Sequence, residues 1–469
     1  MKTPVAFQLL RILSSAELNQ LETFLRSPAF NRRPEMARLL AWWRQNRHEK
    51  LEKKQVFKEV VPDKPYLSRD WYLLLSRFTR LIERFLVWQE LQSDELGQYP
   101  FLLRNLRRRR KARLFQRSMA QARALLDKQG QHTAHLLYRA YDLEQEYYDY
   151  IASHKRQEPT NLQAVNDRLD EFFIAEKLKQ ACLEHSRRIA SQEAYDIHFL
   201  KAIEQQLQAR PALLSVPAIE VYHACYRAVV LGGNKAAFQR LRRAMEAHQQ
   251  GFPKQEIRDL YLLAINYCIR ALNRGEEGFA REAFTLYKQS LQQGYLLEDG
   301  HIPESTYGNI VSLGLKLNRF EWVENFIRDY ACFLRPEFQE ALPSFTAAKL
   351  AYEQGQLATA LQLLATVEAR QPFLYFGAKT LQLKVFYELG EWGALDSLLE
   401  SLRVYLQRHP ALGYHREHYL LLLQFARRLL QLPPTDRQGR AALKEEVEAA
   451  KAFREREWFL RQLNRKSGH

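Results

Sequence analysis

Two stretches, "YEQGQLATALQLL" (352–364) and "YELGEWGALDSLL" (387–399), decide the fold. Tyr352 and Tyr387, Glu353 and Glu388, Gly355 and Gly390, and a pair of leucines coincide at a spacing of 35 residues. "LKLNRFEWVENFI" (315–327) fits one step earlier, with Asn318 in the glycine place. Asn tolerates the left-handed backbone that a tight turn between helices needs, so the exchange makes physical sense. "GFAREAFTLY" (278–287) and "GNKAAFQRLR" (233–242) fit more loosely, aligned on Gly278 and Gly233. A helix pair with one apolar face cannot bury that face alone, so such pairs stack on their neighbours.

These residues resemble the tetratricopeptide class of helical repeats over 305–412, and more weakly over 215–300. The best match is 348–372: Ala348 at the small position of the first helix, Gly355 at the turn, Ala360 at the small position of the second helix, and Pro372 closing the unit. The next unit departs from the pattern, with Leu383 and Leu395 at the small positions, and no unit carries the early Trp. The resemblance implies a right-handed superhelix whose first helices line a concave face. Lys349 and Lys384 stand six residues before the aligned glycines, with Tyr352 and Tyr387 a turn along and Ser312 at the same place one unit earlier. Stacked ammonium groups suit a carboxylate, either a peptide C-terminus or an acidic segment.

Working outward, Ser14 and Glu17 have capping-box spacing ahead of the stripe Leu18, Leu21, Phe24 and Leu25. "SPAFNRRP" (27–34) breaks that helix; Leu39, Leu40, Trp42 and Trp43 mark a second, and "EKKQVFKEVV" (52–61) a third. "PDKP" (62–65) is a turn, and Ser68 is expected to cap a long helix through Leu91. "SPAFN" followed by a Trp- and Leu-rich helix is also similar to uncharacterised bacterial helical-repeat proteins, which imply no activity. Two long helices, 101–128 and 134–155, are expected as a hairpin, followed by a helix to about Ile189. The expected chain is all-α: an N-terminal helical unit (1–98), a long basic hairpin with a connecting helix (99–190), an α-solenoid of tetratricopeptide-like antiparallel helix pairs (191–432), and a C-terminal capping helix (433–469). That last helix carries Val447, Phe453, Trp458 and Leu460.

No apolar run reaches a membrane span; the richest, "YLLLLQFA" (419–426), is flanked by Glu417 and Arg427. Gln8 and Arg11 interrupt the start, so no signal peptide is read. Four cysteines in 469 residues suit a reducing compartment, and the expected location is cytoplasmic. Cys182, Cys225 and Cys268 recur every 43 residues without any C-x-x-C pair. That pattern reads as one small buried position repeated, with the three thiols well separated, and not as a metal site. His132 with His135, and His415 with His418, share helical faces but lack further ligands at helical spacing. Phosphate-cradle and nucleophile-elbow motifs are absent. The expectation is a non-catalytic protein with no cofactor.

The remaining feature is "NLRRRRKARLFQR" (105–117). On a helix, successive residues advance about 100°, so Arg107, Arg108, Arg109, Arg110 and Lys111 cannot share one solvated face. Residues 101–128 carry ten Lys/Arg against Asp127 alone, whereas 134–150 carry Arg139 against four acids. An antiparallel hairpin would pair Arg110 or Arg117 with Asp142, Glu144, Glu146 or Asp149, leaving Arg108 and Arg109 exposed. Net positive charge remains after that pairing, consistent with the chain's +16. The patch of Arg104, Arg107, Arg108, Arg109, Arg110, Lys111, Arg113 and Arg117 therefore suits nucleic acid or an acidic protein. The expected function is a cytoplasmic scaffold or adaptor that binds a protein or peptide through its repeat groove. The alternative is a nucleic-acid-binding protein that uses the basic surface.

Overall fold

A computed structural model describes residues 3–46, 52–130, 133–154, 159–191, 193, 195–276, 278–367, 372–408, 415–433, 435–450 and 453–464. Over these the chain is all-α, with one isolated antiparallel bridge, Glu298 to His301, across the Asp299–Gly300 turn. None of the described helices is long and apolar enough to cross a membrane. The chain forms two compact units: 1–226 with 241–253, and 227–240 with 254–469.

The first unit begins with α1 (Val5–Arg11), α2 (Ser15–Arg26), α3 (Pro34–Gln45), α4 (Lys53–Val60) and α5 (Ser68–Ser93). Trp71, Leu74, Phe78, Ile82 and Phe85 recur at helical spacing along α5, and the four shorter helices bury their stripes against them. The capping box forms: Glu17 N–H donates to Ser14 Oγ (3.3 Å) and Ser14 N–H to Glu17 Oε2 (2.7 Å). Ser68 does not cap α5. It is already the first helical residue, Leu67 takes the cap position, and no side chain closes that end.

Next come α6 (Glu95–Arg108), α7 (Ala112–Lys128), α8 (Ala134–His154), α9 (Leu162–Ser191), α10 (Leu200–Ala209) and α11 (Pro217–Cys225). The expected single helix over 101–128 is broken inside the arginine run. Arg110 adopts φ 54°, its N–H donates to Arg107 O (2.9 Å), and Lys111 N–H reaches back to Leu106 O (3.0 Å). α6 and α7 then fold onto one another and onto α8 around Leu103, Phe115, Met119 and Leu143.

The expectation of separated thiols is corrected for one pair. α9 packs on α11, which brings Cys182 beside Cys225, both buried and unbridged. A hydrogen bond to Cys225, together with burial, pushes the Cys182 thiol pKa up.

The second unit takes the start of α12 (Lys235–His248), then α13 (Lys254–Asn273), α14 (Gly278–Gln292), α15 (Glu304–Lys316), α16 (Phe320–Tyr330), α17 (Ala341–Glu353) and α18 (Leu357–Ala365). It ends with α19 (Pro372–Leu389), α20 (Trp392–Arg408), α21 (His415–Gln431), α22 (Arg437–Ala449) and α23 (Arg456–Asn464). From α13 onward each helix packs on the next, and α15, α17 and α19 also touch in series. The single terminal helix expected over Val447–Leu460 is instead α22 and α23, which pack on each other.

The aligned turn residues share one geometry. Asn318, Gly355 and Gly390 have φ of 54°, 76° and 75°. At each, the next residue donates to a carbonyl five back: Arg319 to Gly314, Gln356 to Ala351 and Glu391 to Phe386. These bonds satisfy carbonyls that a helix end leaves open. Gly275 and Gly294 close α13 and α14 in the same way. Gly232 shares the geometry, with Gly233 N–H reaching Ala228 O, and Arg110 is the seventh such residue among those described; the left-handed region costs roughly 1–2 kcal/mol for a residue bearing a Cβ.

The looser alignment on Gly278 and Gly233 is corrected: the left-handed residues are Gly275 and Gly232. In that register Cys225, Cys268, Val311, Ala348 and Leu383 each stand seven residues before the turn, and all are at most 1% exposed. The spacing of Cys225 and Cys268 thus follows a repeated buried position, whereas Cys182, within α9, has no left-handed turn seven residues on and stands outside that register.

Candidate functional site

The candidate site lies within the second unit, on the side formed by α15, α17, α19 and α21. Ser312, Lys349, Lys384 and His418 come from these four helices, and opposite them stand Arg454, Glu455 and Arg461 from α23 and the residues leading into it. The cavity between measures about 940 Å³. Lys349 and Lys384 therefore line one wall, as equal offsets from Gly355 and Gly390 require of helices that touch in series.

The two lysines differ in what they hold. Lys384 is ion-paired with Glu455, and both side chains are largely buried. Lys349 has no carboxylate within ion-pair reach among the described residues. Its Nζ sits 4.8 Å from the centre of the Phe345 ring and 3.5 Å from Ser312 Oγ. Burial pulls its pKa down to about 8, opposed by Glu455 and reinforced by Lys384 and Arg454. A cation in this state gains from any anion that enters the cavity.

Tyr352 and Tyr387 turn toward the terminal helix. The Tyr352 hydroxyl donates to Glu388 Oε1 at 2.5 Å, and burial followed by this carboxylate pushes its pKa well up. The same oxygen accepts from Trp458 Nε1 (2.8 Å) and Gln462 Nε2 (3.2 Å), both on α23. Tyr387 packs edge-on against Trp458 and Trp392, with centroids 5.3 and 5.4 Å away. Trp458 is buried beside Phe459, whose ring also meets Phe453 and Phe425. Tyr352, Lys384 and Tyr387 are thus engaged by the chain's own end.

Sequence reading missed Glu388 and Glu455. Glu388 had a signal, since it aligns with Glu353 in the repeat. Glu455 had none, because its partner Lys384 is 71 residues away and no local pattern links them.

The basic patch belongs to the first unit and divides into two parts. Arg104 and Arg107 converge on Glu146, which is 4% exposed, and Arg107 also meets Asp149 at 3.0 Å. Its hydrogen bond to Glu146 raises the Arg104 pKa. Arg123 takes Glu144 at 2.8 Å and packs over the Tyr147 ring. The expected pairing of Arg110 or Arg117 with these acids is therefore not found. The turn at Arg110 ends α6 early, so α6 lies along α8 with Arg104 and Arg107 toward the acids. Arg108, Arg109, Arg110, Lys111, Arg113 and Arg117 are all exposed and make no ion pair among the described residues.

His418 is buried and its Nδ1 accepts from Arg454 N–H (3.4 Å). His132 and the His415 side chain lie outside the described residues. Among those described, no three His, Cys, Asp or Glu side chains converge as a metal site. The chain matches no protein-family profile, no curated protein and no solved structure.

Proposed function

We propose that the protein is a non-catalytic adaptor. In this reading the second unit is a tetratricopeptide-like solenoid that receives an acidic segment of a partner protein on the Lys349–Lys384 wall. Three features support it: neighbour-on-neighbour packing from α13 onward, the serial contact of α15, α17 and α19, and the repeated left-handed turns. The low cysteine content supports a cytoplasmic setting.

One observation carries the reading. Of two equivalent lysines, Lys384 already holds a carboxylate, that of Glu455, while Lys349 faces the same cavity without one. The wall's chemistry is therefore met once from within the chain, and its second ammonium is left for an outside acid. Charge-assisted bonds of this kind are about twice as strong as neutral ones.

The test compares full-length wild type, Lys349→Gln and the Lys349→Glu/Lys384→Glu double variant as baits at equal loading. Lys349→Gln leaves the Glu455 pair and the Glu388 bonds in place. The expected result is a set of captured proteins with acidic segments, reduced by Lys349→Gln and lost with the double variant. Equal retention by all three would remove the wall from consideration.

A further inference from the structure

We infer that the arginine turn between α6 and α7 is an interface for the phosphate backbone of single-stranded nucleic acid. The first ground is conformational. Six other helix ends share its geometry, and they place Gly232, Gly275, Gly294, Gly355, Gly390 and Asn318 at the left-handed residue. Here it is Arg110, in a conformation unfavourable for its Cβ, with the same backbone bonds as the other turns and an exposed side chain that makes no described hydrogen bond or ion pair. Glycine would serve the fold better, so the turn retains a cation against the local backbone preference. Local rules are broken in this way at functional sites.

The second ground is the charge inventory. Three of the four acids of α8, Glu144, Glu146 and Asp149, are taken by Arg123, Arg104 and Arg107, and the fourth, Asp142, feels the charges of Arg104 and Arg139. That leaves Arg108, Arg109, Arg110, Lys111, Arg113 and Arg117 exposed within ten residues. No Asp or Glu occurs between Glu95 and Asp127, so nothing nearby in sequence dilutes the field. Arg113 and Arg117 are four apart on α7 and share a face, continuing the cationic surface away from the turn.

These features favour nucleic acid over an acidic protein. A protein interface is built on an apolar core with charge at its rim. Here the order is reversed, with dense cations at the centre and single apolar side chains beside them. The guanidinium fork matches phosphate oxygens in pairs, and five of the six cations are arginines. Phe101, 61% exposed, lies two turns before Arg108 on the same face of α6 and offers a ring on which an unpaired base can stack. A duplex keeps its bases inside, so the ring favours a single strand.

The experiment is fluorescence anisotropy with labelled mixed-sequence RNA and DNA single strands of about 20 nucleotides and a matching duplex, between about 50 and 200 mM salt. For four phosphate contacts, the logarithm of affinity should fall against the logarithm of salt with a slope of about −2.8. Arg108→Ala with Arg109→Ala should make that slope shallower by about 1.4 and weaken binding at least about tenfold at the lower salt. Arg110→Gly should make it shallower by about 0.7 while raising the melting temperature, because the turn is relaxed and only the charge is lost. Both variants are checked by circular dichroism, so that loss of binding is read on folded protein. Lack of binding by wild type at about 50 mM salt would overturn the inference, as would variants that bind like wild type. Equal affinity for the duplex would overturn the single-strand assignment. Displacement by polyglutamate as readily as by unlabelled strand would replace nucleic acid with an acidic protein.

Discussion

Replacing Glu388 with Ala should release α23 from the wall. One carboxylate oxygen accepts from Tyr352, Trp458 and Gln462, and two of those donors ride on α23. Trp458 and Gln462 are 2% and 4% exposed, so water cannot replace the lost acceptor while the helix stays docked. An unsatisfied buried donor costs about 1–3 kcal/mol, which applies to Trp458, and the single bond lost by Gln462 adds about 0.5–1.5 kcal/mol, so docking weakens by about 2–4 kcal/mol. The remaining hold consists of the Phe453, Phe459 and Phe425 rings, Arg440 bonded to the carbonyls of Gln462 and Leu463, and the Lys384–Glu455 pair. These keep α23 partly associated. At about 1.4 kcal/mol per decade, amide exchange over 456–464 should accelerate roughly 30- to 700-fold. Exchange mass spectrometry reads this directly, with α2 and α3 as internal controls. Glu388→Gln keeps an acceptor but loses the charge, and should fall between. If protection over 456–464 is unchanged in Glu388→Ala, the reasoning fails. It fails equally if protection is lost across the whole second unit, because Glu388 would then be a core element and not a latch.

Gly355→Val should lower stability by about 1–2 kcal/mol in chemical denaturation, because φ of 76° disfavours a β-branched residue even though its Cβ would meet nothing within 4 Å. Lys349→Met should stabilise the protein at neutral pH, by on the order of 1 kcal/mol for a half-buried ammonium. The sign follows from the direction of its shift: with a folded pKa of about 8 against 10.5, the unfolded chain binds more protons between those values, so wild-type stability should rise with pH from about 8 toward 10, and the variant should lose that slope. Glu146→Ala strands the partly solvated Arg104, while Arg107 keeps Asp149, and should cost about 1–2 kcal/mol in urea melts; a loss below about 0.5 kcal/mol would show that the triad contributes little.

Much of the second unit was legible because its turns depend on backbone conformation. Residue type at a left-handed position is a chemical requirement, so Asn318, Gly355 and Gly390 announce themselves. The misplaced register at Gly278 shows the limit of that signal. Two glycines three residues apart, Gly275 and Gly278, look alike in composition, and only the buried positions at Cys225 and Cys268 carry the right phase. Arg110 was illegible for the opposite reason: arginine is a good helix former, and nothing in "RRRRK" marks a turn. The lysine wall was legible as two equal offsets in a repeat. Its occupant was not, since Glu455 reaches it through tertiary packing and the break before α23 carries neither Gly nor Pro within the described residues.

The placement of the four thiols equips the protein with its own reporters. Cys332 is exposed, whereas Cys182 and Cys225 are buried in the first unit and Cys268 in the second. A thiol reagent should therefore consume one equivalent at once and then wait for structure to open. The slow phases keep two clocks, one for each unit, with no introduced label. Because Cys182 and Cys225 face each other, their clock also has an internal check: a single opening event should expose both, so their modification should proceed as a pair.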